Sequence, residues 1–186
     1  KPFMTHLLSM SGTSLIYMSF LAISSYIYIQ WFKLTETEYS LFFAVNSLIL
    51  LVGPSAYLLA RKRLLPKQIV NISFGIIVVA GILILTIGKS SPYLFLISFA
   101  PITFANGFLR SFSSNVLLGQ REMNSGGVAS VINFSGTALG AIGMMLGTLN
   151  WSNYIQGLGW VTLIAITFSI TLWMIYLKNN YKLNGM

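Results

Sequence analysis

Long apolar runs separated by short polar segments constrain this 186-residue chain more than any other feature. Only 8% of its residues are charged, whereas a soluble domain carries about 25%. Six runs reach the length of roughly 20 residues that a helix needs to cross a bilayer. We therefore predict an all-α membrane protein with six transmembrane helices. The predicted spans cover about residues 5–31, 38–59, 68–87, 92–118, 127–149 and 154–177.

The segments between the predicted spans are too short to hold a water-soluble domain. We therefore expect residues 1–186 to form a single six-helix transmembrane domain in contact with the lipid bilayer. The first run is longer than the apolar region of a signal peptide and is not followed by a small-residue cleavage site. It is predicted to be a true span.

The composition excludes most catalytic chemistry. The chain has no cysteine, and its only histidine, His6, is expected to lie on the surface at the membrane edge. The three acids, Glu36, Glu38 and Glu122, are scattered along the chain, whereas a structural zinc site needs about four ligands placed together. We predict no metal, no cofactor and no enzymatic activity.

The net charge is +8, and the distribution of the basic residues agrees with the predicted spans. Basic residues stand at the ends of apolar runs, which is typical of membrane proteins and argues against nucleic-acid binding. Lys33 and Lys89 fall on one side of the membrane, and Arg110 falls inside a span. The other eight fall on the side of the N-terminus, namely Lys1, Arg61, Lys62, Arg63, Lys67, Arg121, Lys178 and Lys182. The positive-inside rule then predicts a multi-pass protein of the cell inner membrane with both termini in the cytoplasm.

Arg110 is the most informative polar residue, because a charge at this depth costs at least about 2.5 kcal/mol. Thr103, Asn106, Ser113 and Ser114 lie at helical spacing from it and extend a polar stripe along the fourth span. The stripe favours a water-filled pathway or a site that recognises an anion. The alternative is a guanidinium that reaches the interface, about 12 Å away along the helix.

A second polar face runs along the first span through Ser14, Tyr17, Ser24 and Tyr28. Hydroxyl groups and aromatic rings suit a cavity for a partly apolar ligand. They are equally consistent with hydrogen bonds between helices or to the backbone. The pattern leaves both interpretations open.

The fifth span is rich in glycine. Its pairs at four-residue spacing are typical of helices that approach closely, and the glycines concerned are Gly136, Gly140, Gly143 and Gly147. On the same helix, Asn133 is a candidate cavity residue. Asn133 precedes Gly140 by seven residues, as Asn46 precedes Gly53 in the second span. This match favours a 3+3 inverted repeat, a common plan in transporters.

Several segments resemble the major facilitator superfamily of transporters. Residues 23–35 and 38–47 are similar to the seventh and eighth helices of its exporters, and residues 126–130 resemble the start of the eleventh. The strongest resemblance is to the drug:proton antiporters of the bicyclomycin- and chloramphenicol-resistance branch, although Ser25 stands where that branch often has proline.

The resemblance implies the C-terminal six-helix half of a secondary transporter that exports drugs or small metabolites, driven by protons, through alternating access. It implies that the first and fourth helices line the cavity, the second and fifth form the moving interface, and the third and sixth face outward. The substrate would be a small amphipathic molecule, and the partner would be an N-terminal six-helix half that carries the proton-binding acid.

A second hypothesis does not involve transport. In it, the chain is a six-helix membrane domain that forms a homodimer or assembles with another protein. Because the sequence begins with Lys1 rather than Met, we expect either a longer twelve-span protein or a half that pairs with itself.

Overall fold

The computed structural model describes residues 2–120 and 125–179. It confirms the predicted all-α architecture, with no strand among these residues. Six helices are long and apolar enough to cross a membrane, as in a multi-pass membrane protein. They are α1 (Pro2–Ser25), α2 (Glu36–Ala60), α3 (Pro66–Thr86), α4 (Pro92–Leu118), α5 (Ser125–Gly147) and α6 (Tyr154–Lys178), and a π-helical turn (Tyr26–Trp31) continues α1. Lys1, Arg121, Glu122 and Lys182, for which the sequence analysis makes predictions, lie outside the described residues.

Side-chain caps define where three of the helices begin. At the start of α2, Thr35 and Glu38 form a capping box, in which the Glu38 carboxylate accepts the Thr35 backbone N–H at 2.8 Å. Ser91 caps α4 directly before Pro92, a residue well suited to the first helical position. The Asn153 side chain accepts the first N–H groups of α6. These caps satisfy backbone donors that the helices leave unpaired.

Helices α1 and α4 form the centre of the bundle. α1 packs against α5, α6 and α4, whereas α4 packs against α2 and α3, and α3 also contacts α6. The most apolar stretches of α1 and α4 are 67% and 56% buried, but those of α2 and α5 are only 17% and 22% buried. α2 and α5 therefore expose most of their surface.

The crossing of α2 and α4 depends on two glycines. A Cβ atom added at Gly53 would lie 2.7 Å from the backbone nitrogen of Phe108, and one added at Gly107 would lie 2.5 Å from the carbonyl oxygen of Leu50. Either side chain would overlap backbone atoms. The helices approach closely at this point because both positions lack a side chain.

The crossing of α1 and α5 also depends on glycine. A Cβ atom at Gly147 would lie 2.9 Å from the Ser19 carbonyl oxygen, and one at Gly143 would overlap the Leu15 carbonyl group. The Ser19 hydroxyl donates to the Gly143 carbonyl oxygen at 2.6 Å, which joins the two helices. Gly136 behaves differently, because the nearest atom to a Cβ there would be the Ser14 hydroxyl oxygen at 3.8 Å.

Aromatic rings pack together at the end of the bundle where α1 finishes. The ring of Tyr28 lies 5.0 Å from that of Phe42 and 5.4 Å from that of Phe95, measured between centroids. Phe95 in turn packs beside Phe99. Offset and edge-to-face pairs of this kind add to the stability gained from burial.

The prediction that His6 is a surface residue is wrong, because its side chain is completely buried. It lies 5.8 Å from the ring of Phe112 at the end of α4 and 5.7 Å from that of Tyr176 at the end of α6. Neither of its ring nitrogens has a hydrogen-bond partner among the described residues. The ends of three helices meet at this point and enclose the imidazole.

These contacts place the start of α1 beside the ends of α4 and α6. The ring of Tyr57, near the end of α2, also contacts Phe112. The structure therefore gathers five of the basic residues predicted for the N-terminal side at one end of the bundle, namely Arg61, Lys62, Arg63, Lys67 and Lys178. Lys33 and Lys89 lie at the other end.

Candidate functional site

Two cavities meet beside Arg110 and are referred to together as the groove. The larger, of about 270 Å³, lies between α1, α4 and α5. The smaller, of about 190 Å³, lies between α1, α2 and α4. Ser14, Met18 and Arg110 border both of them.

Arg110 is an exposed cation inside a membrane-spanning helix. It precedes the last residue of α4, Leu118, by eight positions, which corresponds to about 12 Å of helical rise. It has no ion-pair or hydrogen-bond partner among residues 2–120 and 125–179. The described residues that line the groove include no Asp or Glu. The charge of the guanidinium is therefore not compensated by the described part of the chain.

Polar side chains from three helices line the larger cavity together with Arg110. Ser14 comes from α1, Ser113 from α4, and Asn133 and Thr137 from α5. Asn133 and Thr137 are exposed, so their side chains are accessible from the groove. Amide and hydroxyl groups both donate and accept hydrogen bonds, which allows the wall to bind polar groups of either kind.

Apolar side chains complete the lining. Met10 and Met18 come from α1 and Met144 from α5, together with Leu7 and Ile132. Methionine is flexible and polarizable, and it adapts to ligands of different shapes. The groove therefore combines one cation and several neutral polar groups with a flexible apolar wall.

Hydrogen bonds fix two polar residues of α4. The Thr13 hydroxyl lies 3.1 Å from the Asn106 amide oxygen and 2.9 Å from the Met10 carbonyl oxygen, and it shares its proton between them. The Thr103 hydroxyl donates to the Asn46 amide oxygen at 2.8 Å. Asn106 borders the smaller cavity, whereas Thr103 is fully buried between α2 and α4.

The structure places five of the nine residues predicted for a substrate pathway on the groove. They are Ser14, Tyr17, Asn106, Arg110 and Asn133. Among the glycines predicted to pack, Gly143 and Gly147 lie against the backbone of α1, whereas Gly136 and Gly140 border the larger cavity, Gly140 next to the Met18 side chain. The four-residue spacing alone did not distinguish these two environments.

The other four predicted residues do not line the groove. The Ser24 hydroxyl lies 2.9 Å from that of Tyr39 on α2, and Tyr28 belongs to the aromatic cluster beyond the start of the π-helical turn. Thr103 is bonded to Asn46, and half-buried Ser114 lies next to the lining residue Ser113. Residues of α2 contact Ser24, Tyr28 and Thr103 and cover these three side chains.

Sequence reasoning missed the methionines of the groove. Met10 and Met18 stand four residues before and after Ser14, and all three border the larger cavity. Residues four apart share one face of a helix, so this spacing was a usable signal. It was overlooked because methionine side chains are also common in ordinary apolar packing.

A further cavity of about 300 Å³ lies at the opposite end of the bundle. Gln30 and Lys33 line it from the end of α1, and Ser152 and Asn153 line it from the connection before α6. It is formed largely by helix ends and connections rather than by the interior of the spans. It is therefore a weaker candidate for a site within the membrane.

The groove offers space and polar side chains in its lining. The described residues contain no group of three His, Cys, Asp or Glu side chains that could hold a metal. In the part of the chain that the structure describes, the lining includes hydroxyl groups but no histidine or carboxylate to act as a general base. No protein-family model matches the sequence, and a comparison with curated proteins finds no significant match. The functional argument therefore rests on the geometry of the groove.

Proposed function

We propose that this chain is one six-helix half of a secondary transporter of the major facilitator type, and that the groove is its part of the substrate pathway. One observation carries the proposal. Arg110, whose charge no described residue compensates, lies in a groove that combines polar and apolar side chains, within a helix long and apolar enough to span a membrane. Ionisable residues at such depths usually face a water-filled cavity, a partner or a substrate.

The pattern of helix packing supports an inverted repeat. If α1, α2 and α3 correspond to α4, α5 and α6, the pairing of α1 with α5 corresponds to that of α4 with α2. The pairing of α1 with α6 likewise corresponds to that of α4 with α3. Both members of the first pair of crossings use glycine. This correspondence is what a 3+3 plan predicts.

The exposed faces of α2 and α5 support a missing partner bundle. Leu48 and Leu51 on α2, and Phe134 and Met145 on α5, expose 62% to 73% of their side chains. These helices flank a groove whose polar groups are costly to leave in lipid. A second six-helix bundle would cover the groove and pack against both flanks. It would be the N-terminal half of the same transporter or a second copy of this chain.

The distribution of charge supports an orientation. With the basic end of the bundle in the cytoplasm, both the start of α1 and the end of α6 face the cytoplasm, and the protein lies in the cell inner membrane. Arg110 is then nearer to the cytoplasmic side. Because no acid lines the groove among the described residues, an N-terminal half, and not a second copy of this chain, would supply the carboxylate for proton-coupled export of a small amphipathic molecule.

The direct test is transport by the full chain in proteoliposomes under an imposed pH gradient. The transported probes are dansylglycine, its neutral amide and the cation dansylcadaverine. We expect uptake of at least one probe, reduced about tenfold or more by Arg110→Ala. Arg61→Ala, which removes a positive charge outside the groove, is expected to behave as wild type.

Two results would contradict the proposal. Wild-type uptake by Arg110→Ala protein would remove Arg110 from the pathway. No uptake of any probe by a sample shown to be dimeric would favour the second hypothesis, a six-helix domain that only assembles with partners. The amount of folded protein, measured by size-exclusion chromatography, must be equal for all variants.

The absence of cysteine provides a second test, because single-cysteine variants need no background mutations. Asn133→Cys places a thiol on the groove, whereas Phe168→Cys places one on an exposed apolar face of α6. A membrane-impermeant maleimide is expected to label position 133 and not position 168, because the thiolate forms only where water is present. Equal labelling of the two variants would show that the groove is no more hydrated than the lipid-facing surface.

A further inference from the structure

The groove carries positive charge without a negative counterpart in the described chain. Arg110 borders both cavities, and every other described residue in their lining is neutral. From this we propose that the groove binds an amphipathic organic anion, a carboxylate on a small apolar body, with Arg110 holding the carboxylate. This inference rests on the proposed function and adds the substrate class.

The guanidinium of Arg110 determines the charge of the ligand. Its fork of N–H donors matches the two oxygens of a carboxylate and binds them side by side. Asn133 and Ser113 add neutral hydrogen-bonding groups to the larger cavity, and Asn106 adds one to the smaller. A cationic ligand would meet repulsion here without an acid to offset it.

The apolar wall indicates that the rest of the ligand is apolar and small. Met10, Met18 and Met144 adapt to different shapes, and Leu7 and Ile132 extend the apolar surface. Ligand pockets usually have volumes of about 300–1,000 Å³. The larger cavity has about 270 Å³, so the ligand is small where this half alone encloses it.

Binding of matched probes tests the inference. Fluorescence titration of the full chain in phosphatidylcholine nanodiscs would compare dansylglycine with its neutral amide and with dansylcadaverine. We expect dansylglycine to bind about tenfold more tightly than the amide. Arg110→Gln should abolish this preference, and Arg110→Lys should retain part of it. Arg61→Gln, which loses the same charge at the same end of the bundle but outside the groove, should keep all of it.

Three outcomes would overturn the inference. Equal affinities for the three probes would show that charge is not recognised. Unchanged selectivity in Arg110→Gln would place the anion elsewhere. Loss of dansylglycine binding when one third of the lipid is phosphatidylglycerol would show that an anionic lipid headgroup occupies the groove. Unchanged binding in those nanodiscs would support a free anion as the ligand.

The binding and transport measurements fail in different ways. Uptake of the neutral amide with no preference for the anion would support the transporter proposal and contradict the inference that the groove binds an organic anion. Arg110-dependent binding of dansylglycine without uptake of any probe would support the anion-binding site and contradict the proposed transport function. The same set of variants and probes serves both experiments.

Discussion

Helices α2 and α4 cross closely at glycines, as do α1 and α5, but the two crossings differ in the contacts that join the helices. Gly53 and Gly107 bring α2 against α4, where a hydrogen bond between the Asn46 and Thr103 side chains also joins the helices. The α1–α5 crossing is tight only along one part of α5, where Ser19 donates to the backbone of Gly143. The larger cavity follows another face of α5, lined from Ile132 through Gly136 to Met144.

The difference shows that glycine has two roles in this bundle. Where a neighbouring backbone lies opposite, the absence of a side chain permits close approach. Where the nearest atom is farther away, as the Ser14 hydroxyl oxygen is from a Cβ atom at Gly136, the same absence leaves part of a cavity open. The partner across the interface, and not the glycine itself, decides which role applies.

The largest expected effect is at the α2–α4 crossing. Gly107→Leu would force a side chain against the Leu50 carbonyl group, which cannot move without displacing α2. Overpacking costs about 1–3 kcal/mol when side chains can adjust, and we expect at least the upper value here. The yield of monodisperse protein and its resistance to unfolding in sodium dodecyl sulfate would measure the loss.

Gly75→Leu is the matched control for this substitution. Gly75 lies in α3, and no atom lies within 4 Å of a Cβ atom added there. Its yield and unfolding should match those of the wild type. Similar losses in both variants would mean that leucine is harmful for reasons other than the crossing.

On α5 we expect smaller changes in stability, and these changes have opposite signs at two glycines. Gly143→Ala would overlap the Leu15 carbonyl group and destabilise the protein by roughly 1–3 kcal/mol. Gly136→Ala meets nothing closer than 3.8 Å and should stabilise the helix by up to about 1 kcal/mol. Thermal unfolding followed by circular dichroism would report both changes. Shifts of the same sign would remove the distinction between tight and open parts of this crossing.

The smallest expected effect concerns the hydrogen bond at the α2–α4 crossing. Thr103→Val keeps the shape of the side chain but leaves the amide oxygen of buried Asn46 without its donor. Hydrogen bonds between membrane helices contribute about 0.6 kcal/mol on average and up to about 1.7. We expect a loss of about 1 kcal/mol in the same unfolding assay.

Thr167→Val is the control for this third prediction. The Thr167 hydroxyl is exposed on α6 and bonds only to the backbone of its own helix, at Leu163. Its removal should cost less than the removal of the Thr103 hydroxyl. Equal losses would show that the contact with Asn46 does not join α2 to α4 energetically.

The six spans were predictable because length and hydropathy are local properties. The polar stripe around Arg110 was predictable only in part, since Asn106 and Ser113 line the groove with it but Thr103 and Ser114 do not. The burial of His6 was not predictable, because the rings that enclose it come from the distant ends of α4 and α6. Likewise, equal spacing made Gly136 and Gly143 look equivalent, and only the position of α1 distinguishes them.

The π-helical turn at the end of α1 provides a place where the chain can lose one residue without changing the packing of the bundle. A π turn closes its hydrogen bonds one residue further along than an α turn, so it holds an extra residue. Deleting one residue between Tyr26 and Trp31 would let the turn return to α-helical bonding. Ile23 before it and Phe32 after it would then keep their places. The same deletion earlier in α1 would rotate all later side chains by about 100°. Related sequences that differ by one residue in length can therefore share this bundle if they differ within this turn.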